Sequence, residues 1–138
     1  MMDKMDNNIN DLINNAGLKV TKQRKRIAEE LFSENDKHVT AETLFKSINN
    51  DFKISLATIY NCLGDFTKAG ILKEVNIEAG KTWYDTRTDN HHHFYNVETK
   101  TLIDIPEEEI QLLKPPKAPK GHKINHMKLV FHLEKNDV

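Results

Sequence analysis

His91, His92 and His93 stand consecutively in the stretch TDNHHHFYNV, and the aromatic residues Phe94 and Tyr95 follow them. Neutral imidazole is the commonest metal ligand that proteins use. On a strand, successive side chains point to opposite faces. His91 and His93 therefore share one face, and His92 and Phe94 share the other, so that one tripeptide can feed two sites. Of the seven histidines, six lie between positions 91 and 132, and His38 stands apart. His122, beside a glycine in a loop, and His132, at a sheet edge, read as surface residues. Cys62 is the only cysteine, which excludes an intramolecular disulfide and a multi-cysteine zinc site. A metal centre here must use histidine and carboxylate, a donor set that suits Fe(II), Mn(II) or Zn(II) without choosing among them.

A second chemistry is electrostatic. In KVTKQRKR (19–26) five of eight residues are basic: Lys19, Lys22, Arg24, Lys25 and Arg26. Taken alone, such a run reads as a solvated helix face. Acid collects at DIPEEE (104–109), and the net charge is −1. No nucleophile and base stand at motif spacing, so an enzyme is not expected. The composition, 38% hydrophobic and 30% charged, is that of a soluble domain. No apolar run has the length of a membrane span. The polar, acidic start MMDKMDNNINDL is not a signal peptide, and a cytoplasmic location is expected.

These residues must be held by elements. DKMDNNINDLINNAG places Ile9, Leu12 and Ile13 at helical spacing and stops at Gly17. Thr21 can cap a second helix over KQRKRIAEELF, Thr40 a third over AETLFKSINNDF, and Ser55 a fourth over LATIYNCLGDFTKAG. In the fourth, Leu56, Ile59, Leu63 and Phe66 form one stripe, and Cys62 reads as packing. ILKEVNIEAGKTWYDT carries the signal of a hairpin turning at EAG. Helices followed by a hairpin is the order of a winged helix-turn-helix, with the fourth helix as recognition helix and the hairpin as wing. After residue 90 the pattern alternates, and HHHFYNV, TLIDI and INHMKLVFHLE (124–134) read as three strands. A short helix is expected near PEEEIQLL, and KPPKAPKG (114–121) is a Pro-rich connection. In the last strand Met127, Leu129, Phe131 and Leu133 face one way, more apolar surface than so small a sheet can cover. A second copy of the chain is expected to cover it. The expected fold class is α+β: a winged-helix domain over 1–88, then a small α/β dimerisation domain over 89–138 with a three-stranded sheet.

GLKVTKQR, HVTAETLF, ISLATIYNCLGDFTKAGIL, GKTWYD and HHHF stand here in an order and spacing that resemble the ferric uptake regulator family, from about Gly17 to His132. DTRTDNHHHF, LIDIP and the Pro-Pro at 115–116 resemble its iron response regulator branch. The resemblance implies a dimeric, metal-responsive repressor. That branch lacks the cysteine pairs that hold structural zinc elsewhere in the family, and Val97 and Lys100 stand where the first pair would be. Many family members carry arginine after the recognition-helix tyrosine, where this chain has Asn61.

For DNA, the resemblance assigns base contact to Tyr60, with Ala57, Thr58 and Asn61 beside it. Asparagine can pair with adenine, and threonine and alanine suit the thymine methyl, so an A·T-rich, pseudo-palindromic operator is expected. Lys19 matches the residue that reaches the minor groove, and Arg24 a phosphate-contacting position. Thr21 and Ser55, at the starts of their helices, are counted in the same surface. For metal, the resemblance implies a sensory site of His38, Asp85, His92 and Asp104, with Phe94 in place of a further histidine. It implies a second site of His91, His93 and His126 with Glu108 or Gln111. Branch members respond to haem, and His91, His92 and His93 are the candidate haem ligands. The expected function is a DNA-binding regulator of iron homeostasis and haem synthesis that responds to haem or a divalent metal. The alternative is a manganese, ferrous-iron or zinc sensing repressor without a haem response.

Overall fold

A computed structural model describes residues 4–78 and 80–136 of the chain. They form two compact units, Met1–Thr88 and Asp89–Val138. The first unit holds α1 (Lys4–Asn15), α2 (Lys22–Phe32), β1 (His38–Val39), α3 (Ala41–Ile48), α4 (Leu56–Lys68), β2 (Lys73–Glu78) and β3 (Lys81–Asp85). Three helices begin where a hydroxyl can take an orphan N–H. Thr21 accepts from the Arg24 N–H and Ser55 from the Thr58 N–H, each at 3.1 Å. Thr40 and Thr43 close a reciprocal capping box. Beyond α4, Gly70 takes a φ of +85°, a left-handed conformation that costs glycine little and ends the helix.

The helices bury one side each. Ile9 and Ile13 of α1, Ile27 and Leu31 of α2, Leu44 and Ile48 of α3, and Ile59, Leu63 and Phe66 of α4 form one core, with Cys62 and Tyr84. The hairpin turns at Gly80, which has a φ of +79°. A two-residue strand that the sequence reading does not contain, β1, adds to the other side of β3 and gives the order β1-β3-β2. Its register pairs His38 with Asp85. α3 ends at Ile48, shorter than the periodicity predicts. Asn49 closes it through its N–H to the Phe45 carbonyl.

The second unit holds β4 (His92–Asn96), β5 (Thr101–Ile105), a single 3-10 turn over Glu107–Glu109 where a short helix was expected, and β6 (Val130–Leu133). The sheet order is β5-β4-β6, antiparallel between β4 and β5 and parallel between β4 and β6. β6 is much shorter than the predicted strand over 124–134. The reason lies at Leu129. Its carbonyl accepts from the His93 N–H at 3.1 Å, but its own N–H donates to the His92 ring at Nδ1, 3.0 Å away. A side chain has taken the bond that would extend the ladder. Across the sheet, Ile103, Phe94 and Phe131 stand side by side in register. The Phe94 and Phe131 rings are 6.0 Å apart, while Ile103 is 50% and Phe131 45% exposed.

Candidate metal centre and nucleic-acid interface

In the second unit the metal-capable side chains converge on Asp104. The β4–β5 register sets His93 directly opposite Asp104, and residues two apart on a strand share a face. His91 and His93 therefore reach the same carboxylate. His91 Nε2 lies 3.1 Å and His93 Nε2 3.4 Å from Asp104 Oδ1, with the two imidazole rings 4.6 Å apart. All three residues offer donor atoms within 4.8 Å of one another. The His91 Nδ1 lies 2.8 Å from the Asp89 carbonyl. That carbonyl can only accept, so Nδ1 carries a proton, and Nε2 is left facing the Asp104 carboxylate. A nitrogen and a carboxylate oxygen at this distance are bridged by a proton on Nε2 or by a bound cation. Tetrahedral coordination with bonds of about 2.0–2.2 Å places ligand atoms about 3.3 Å apart, the spacing seen here.

His92 lies on the opposite face. Its Nδ1 accepts from Leu129, so the proton sits on Nε2, which is buried and has no hydrogen-bond partner among the described residues. The expected grouping of His92 with Asp104 is thus corrected by the register, which gives Asp104 to His91 and His93. Glu108, on the 3-10 turn, and His126, in the irregular segment before β6, are both exposed and stand outside that cluster, and Gln111 is exposed. In the first unit, β1 brings His38 Nε2 to 3.2 Å from Asp85 Oδ2. Asp85 is fully buried and also accepts from the Arg87 N–H at 2.9 Å. Both of these residues were expected as ligands, and the strand pairing sets them together.

The exposed side of α4 carries Ala57, Tyr60 and Asn61, with Thr58 partly buried, while Ile59, Cys62, Leu63 and Phe66 face the core. Burial pushes the Cys62 thiol up to about 12, so it is an inert packing group. Lys19 is exposed. Arg24 is engaged within the protein: its guanidinium donates to the Lys19 carbonyl at 2.7 Å and to Asp65 Oδ2 at 3.1 Å. These bonds brace α2 against α4 at the residue where a phosphate contact was expected. Thr21 and Ser55 spend their hydroxyls on helix caps. Tyr60, 42% exposed, donates its hydroxyl to the Glu42 carboxylate of α3. Glu42 was absent from the sequence reading. It sits 18 residues from Tyr60, and no local pattern links an exposed acid on one helix to a tyrosine on another. The two residues line a cleft of about 640 Å3 with Thr40, Thr43, Gly80, Lys81 and Thr82.

A helix-turn-helix with a hairpin wing, joined in one chain to a small sheet bearing a His-His-Asp cluster, defines a class of metal-linked DNA-binding proteins. The chain belongs to the ferric uptake regulator family, whose pattern matches residues 15–132. It is 36% identical over 105 residues to the ferric uptake regulation protein of Klebsiella pneumoniae, covering 75% of this chain and 68% of that protein. Its fold is similar to the Vibrio cholerae ferric uptake regulator, with a TM-score of 0.73 at 28% identity, covering 91% of this chain and 98% of that one. It is also similar to the Pseudomonas aeruginosa ferric uptake regulator solved with manganese, with a TM-score of 0.70 at 27% identity, covering 93% and 98%.

Proposed function

We propose that this protein is a metal-responsive, DNA-binding transcription regulator that acts as a homodimer and has no catalytic activity. The observation that carries the metal response is the meeting of His91, His93 and Asp104 around one point, with the His91 and His93 Nε2 atoms both turned to the carboxylate. The donor set fits a borderline divalent ion, Fe(II), Mn(II) or Zn(II). The resemblance to the family implies a sensory role for His38 and Asp85 as well, and the strand pairing that sets these two 3.2 Å apart supports it. Binding the ion selects one conformation of the protein from several, and this couples metal to DNA affinity. On the DNA side, Ala57, Thr58, Tyr60 and Asn61 read bases in the major groove while Lys19 meets the minor groove, which favours an A·T-rich palindrome.

Metal analysis of the purified protein, with anisotropy titrations of an A·T-rich palindromic duplex against a scrambled one, tests this reading. Mn(II) should tighten binding to the palindrome at least tenfold over chelated protein, and His93→Ala or Asp104→Ala should abolish that gain. Equal affinity for both duplexes with and without metal overturns it.

The finer reading is the iron response regulator role: control of iron and haem-synthesis genes through haem, with His91, His92 and His93 as candidate axial ligands. It is supported by DTRTDNHHHF, LIDIP and the lack of cysteine pairs. Added haem should then give a Soret band that the triple alanine variant of the tract loses, and should release DNA. Haem without effect on spectrum or DNA affinity leaves the divalent-metal sensor.

A further inference from the structure

The first unit shows a contact at its exposed face that neither the core nor the metal cluster requires. Tyr60 is on the outer side of α4, and Glu42 is on the exposed first turn of α3. The capping box of Thr40 and Thr43 brackets Glu42 and fixes its backbone. The Tyr60 hydroxyl donates to Glu42 Oε1. That bond is the largest cause holding the Glu42 carboxyl below its usual range, and the same bond raises the Tyr60 phenol. Glu42 is thus an ionised carboxylate, which can only accept. The direction of the bond is set, and the single hydroxyl proton of Tyr60 points back into the protein.

We infer that Glu42 is a specificity-determining positioning residue, which fixes the hydrogen-bond polarity that Tyr60 presents to DNA. This rests on the proposed role of α4 as the base-reading helix. With its proton committed to Glu42, Tyr60 offers an incoming base edge lone pairs and a ring face. It can accept from the amino groups of adenine N6 or cytosine N4 and pack on a thymine methyl. An unrestrained phenol could instead rotate and donate to guanine O6 or N7. Lys81 lines the same cleft, with its ammonium 5.0 Å from the Trp83 ring centroid, so the wing carries a counter-charge on that side. The restraint converts an ambidextrous hydroxyl into an acceptor, which disfavours guanine as the base that faces Tyr60, since its edge offers only acceptors.

Selection of duplexes with a randomised core by the full-length, Mn(II)-loaded protein tests this, using wild type, Tyr60→Ala, Tyr60→Phe, Glu42→Gln, Glu42→Ala and Glu42→Gln/Tyr60→Phe. Glu42 is exposed, so these variants retain the core. Glu42→Gln and Glu42→Ala should each lose about tenfold in discrimination against guanine at one base-pair position per half-site. In the Tyr60→Phe background, Glu42→Gln should have no further effect. Unchanged discrimination in both Glu42 variants overturns the inference, and so does an equal effect in the Tyr60→Phe background. If Tyr60→Ala leaves every preference intact, it is the base-reading role of α4 that fails. A readout without DNA separates the two cases. Alkaline titration of the tyrosine absorbance should show one phenol ionising at lower pH in Glu42→Gln than in wild type, and an unshifted titration means that the bond itself is absent in solution.

Discussion

At the scale of single residues, a small number of protons decide what the site can do. The Asp89 carbonyl holds the Nδ1 atom of His91, and the Leu129 N–H donates to that of His92, so neighbouring imidazoles are oriented by opposite kinds of partner. We expect His93→Ala to strip bound metal, while His92→Ala costs stability with metal still bound, because His92 ties β4 to the segment before β6. Equilibrium dialysis beside a thermal melt reads both, and metal loss in His92→Ala would reassign that ring. Tyr60→Ala should cost about 1–3 kcal/mol on a specific operator and little on random duplex. Equal losses on both would remove its base-reading role. Cys62 supplies a pH prediction. Its thiol is pushed up to about 12, well above the ordinary thiol range, because burial penalises the thiolate. The unfolded chain ionises first, so the stabilising contribution is full below about pH 9 and is lost as pH rises from there toward 12. Denaturant melts from pH 8 to 11 should show a steeper decline in wild type than in Cys62→Ala.

At the scale of elements, α4 must do two jobs with two sides. Leu63 and Phe66 are fully buried, and the side carrying Tyr60 is left for a partner. Leu63→Ala should cost about 2–5 kcal/mol through lost contacts and the cavity left behind, with DNA affinity falling only as the folded fraction falls. The Arg24–Asp65 pair ties α2 to α4, but the Asp65 side chain is 43% exposed, so its removal should cost under about 1 kcal/mol. Asp65→Ala then becomes informative about Arg24. Stronger DNA binding in that variant shows a guanidinium released to phosphate, whereas unchanged binding shows that bracing is its whole role. The elements also show where a sequence is legible. Thr21, Thr40 and Ser55 announced three helix starts, because a cap is a bond within three residues. β1 was not announced, because two residues carry no period and His38–Val39 becomes a strand only by lying against β3.

At the scale of the whole molecule, the exposed row of Ile103, Phe94 and Phe131 asks for cover that the second unit does not itself supply. We expect a second copy to provide it. Phe131→Asp or Ile103→Asp should shift the protein to monomer on a sizing column at micromolar concentration, and a dimer unaffected by both places the interface elsewhere. Chelation of the native protein should leave the dimer intact, since Cys62 is the only cysteine and no cysteine-bound zinc can hold it. A clean monomer after chelation would show that metal joins the copies. Loss of dimer should weaken binding to a palindrome far more than to a single half-site, because the two half-sites are then no longer linked.

The sequence by itself determined the helices, their caps, the buried stripe of α4, the hairpin, and the stock of histidine and carboxylate from which a metal centre can be made. Each of these is a local property, a period or a bond between residues a few positions apart. It also determined that His91 and His93 face one way and His92 the other, since strand parity needs no partner. Which face Asp104 joins was decided only by the tertiary structure. A one-residue slip between β4 and β5 would move it from the His91–His93 side to the His92 side, and nothing within either strand sets that slip. The same holds for the early end of β6, where a histidine ring takes a backbone N–H, and for the joining of Glu42 to Tyr60. Those are choices among partners far apart in the chain, and they exist only once the chain has folded.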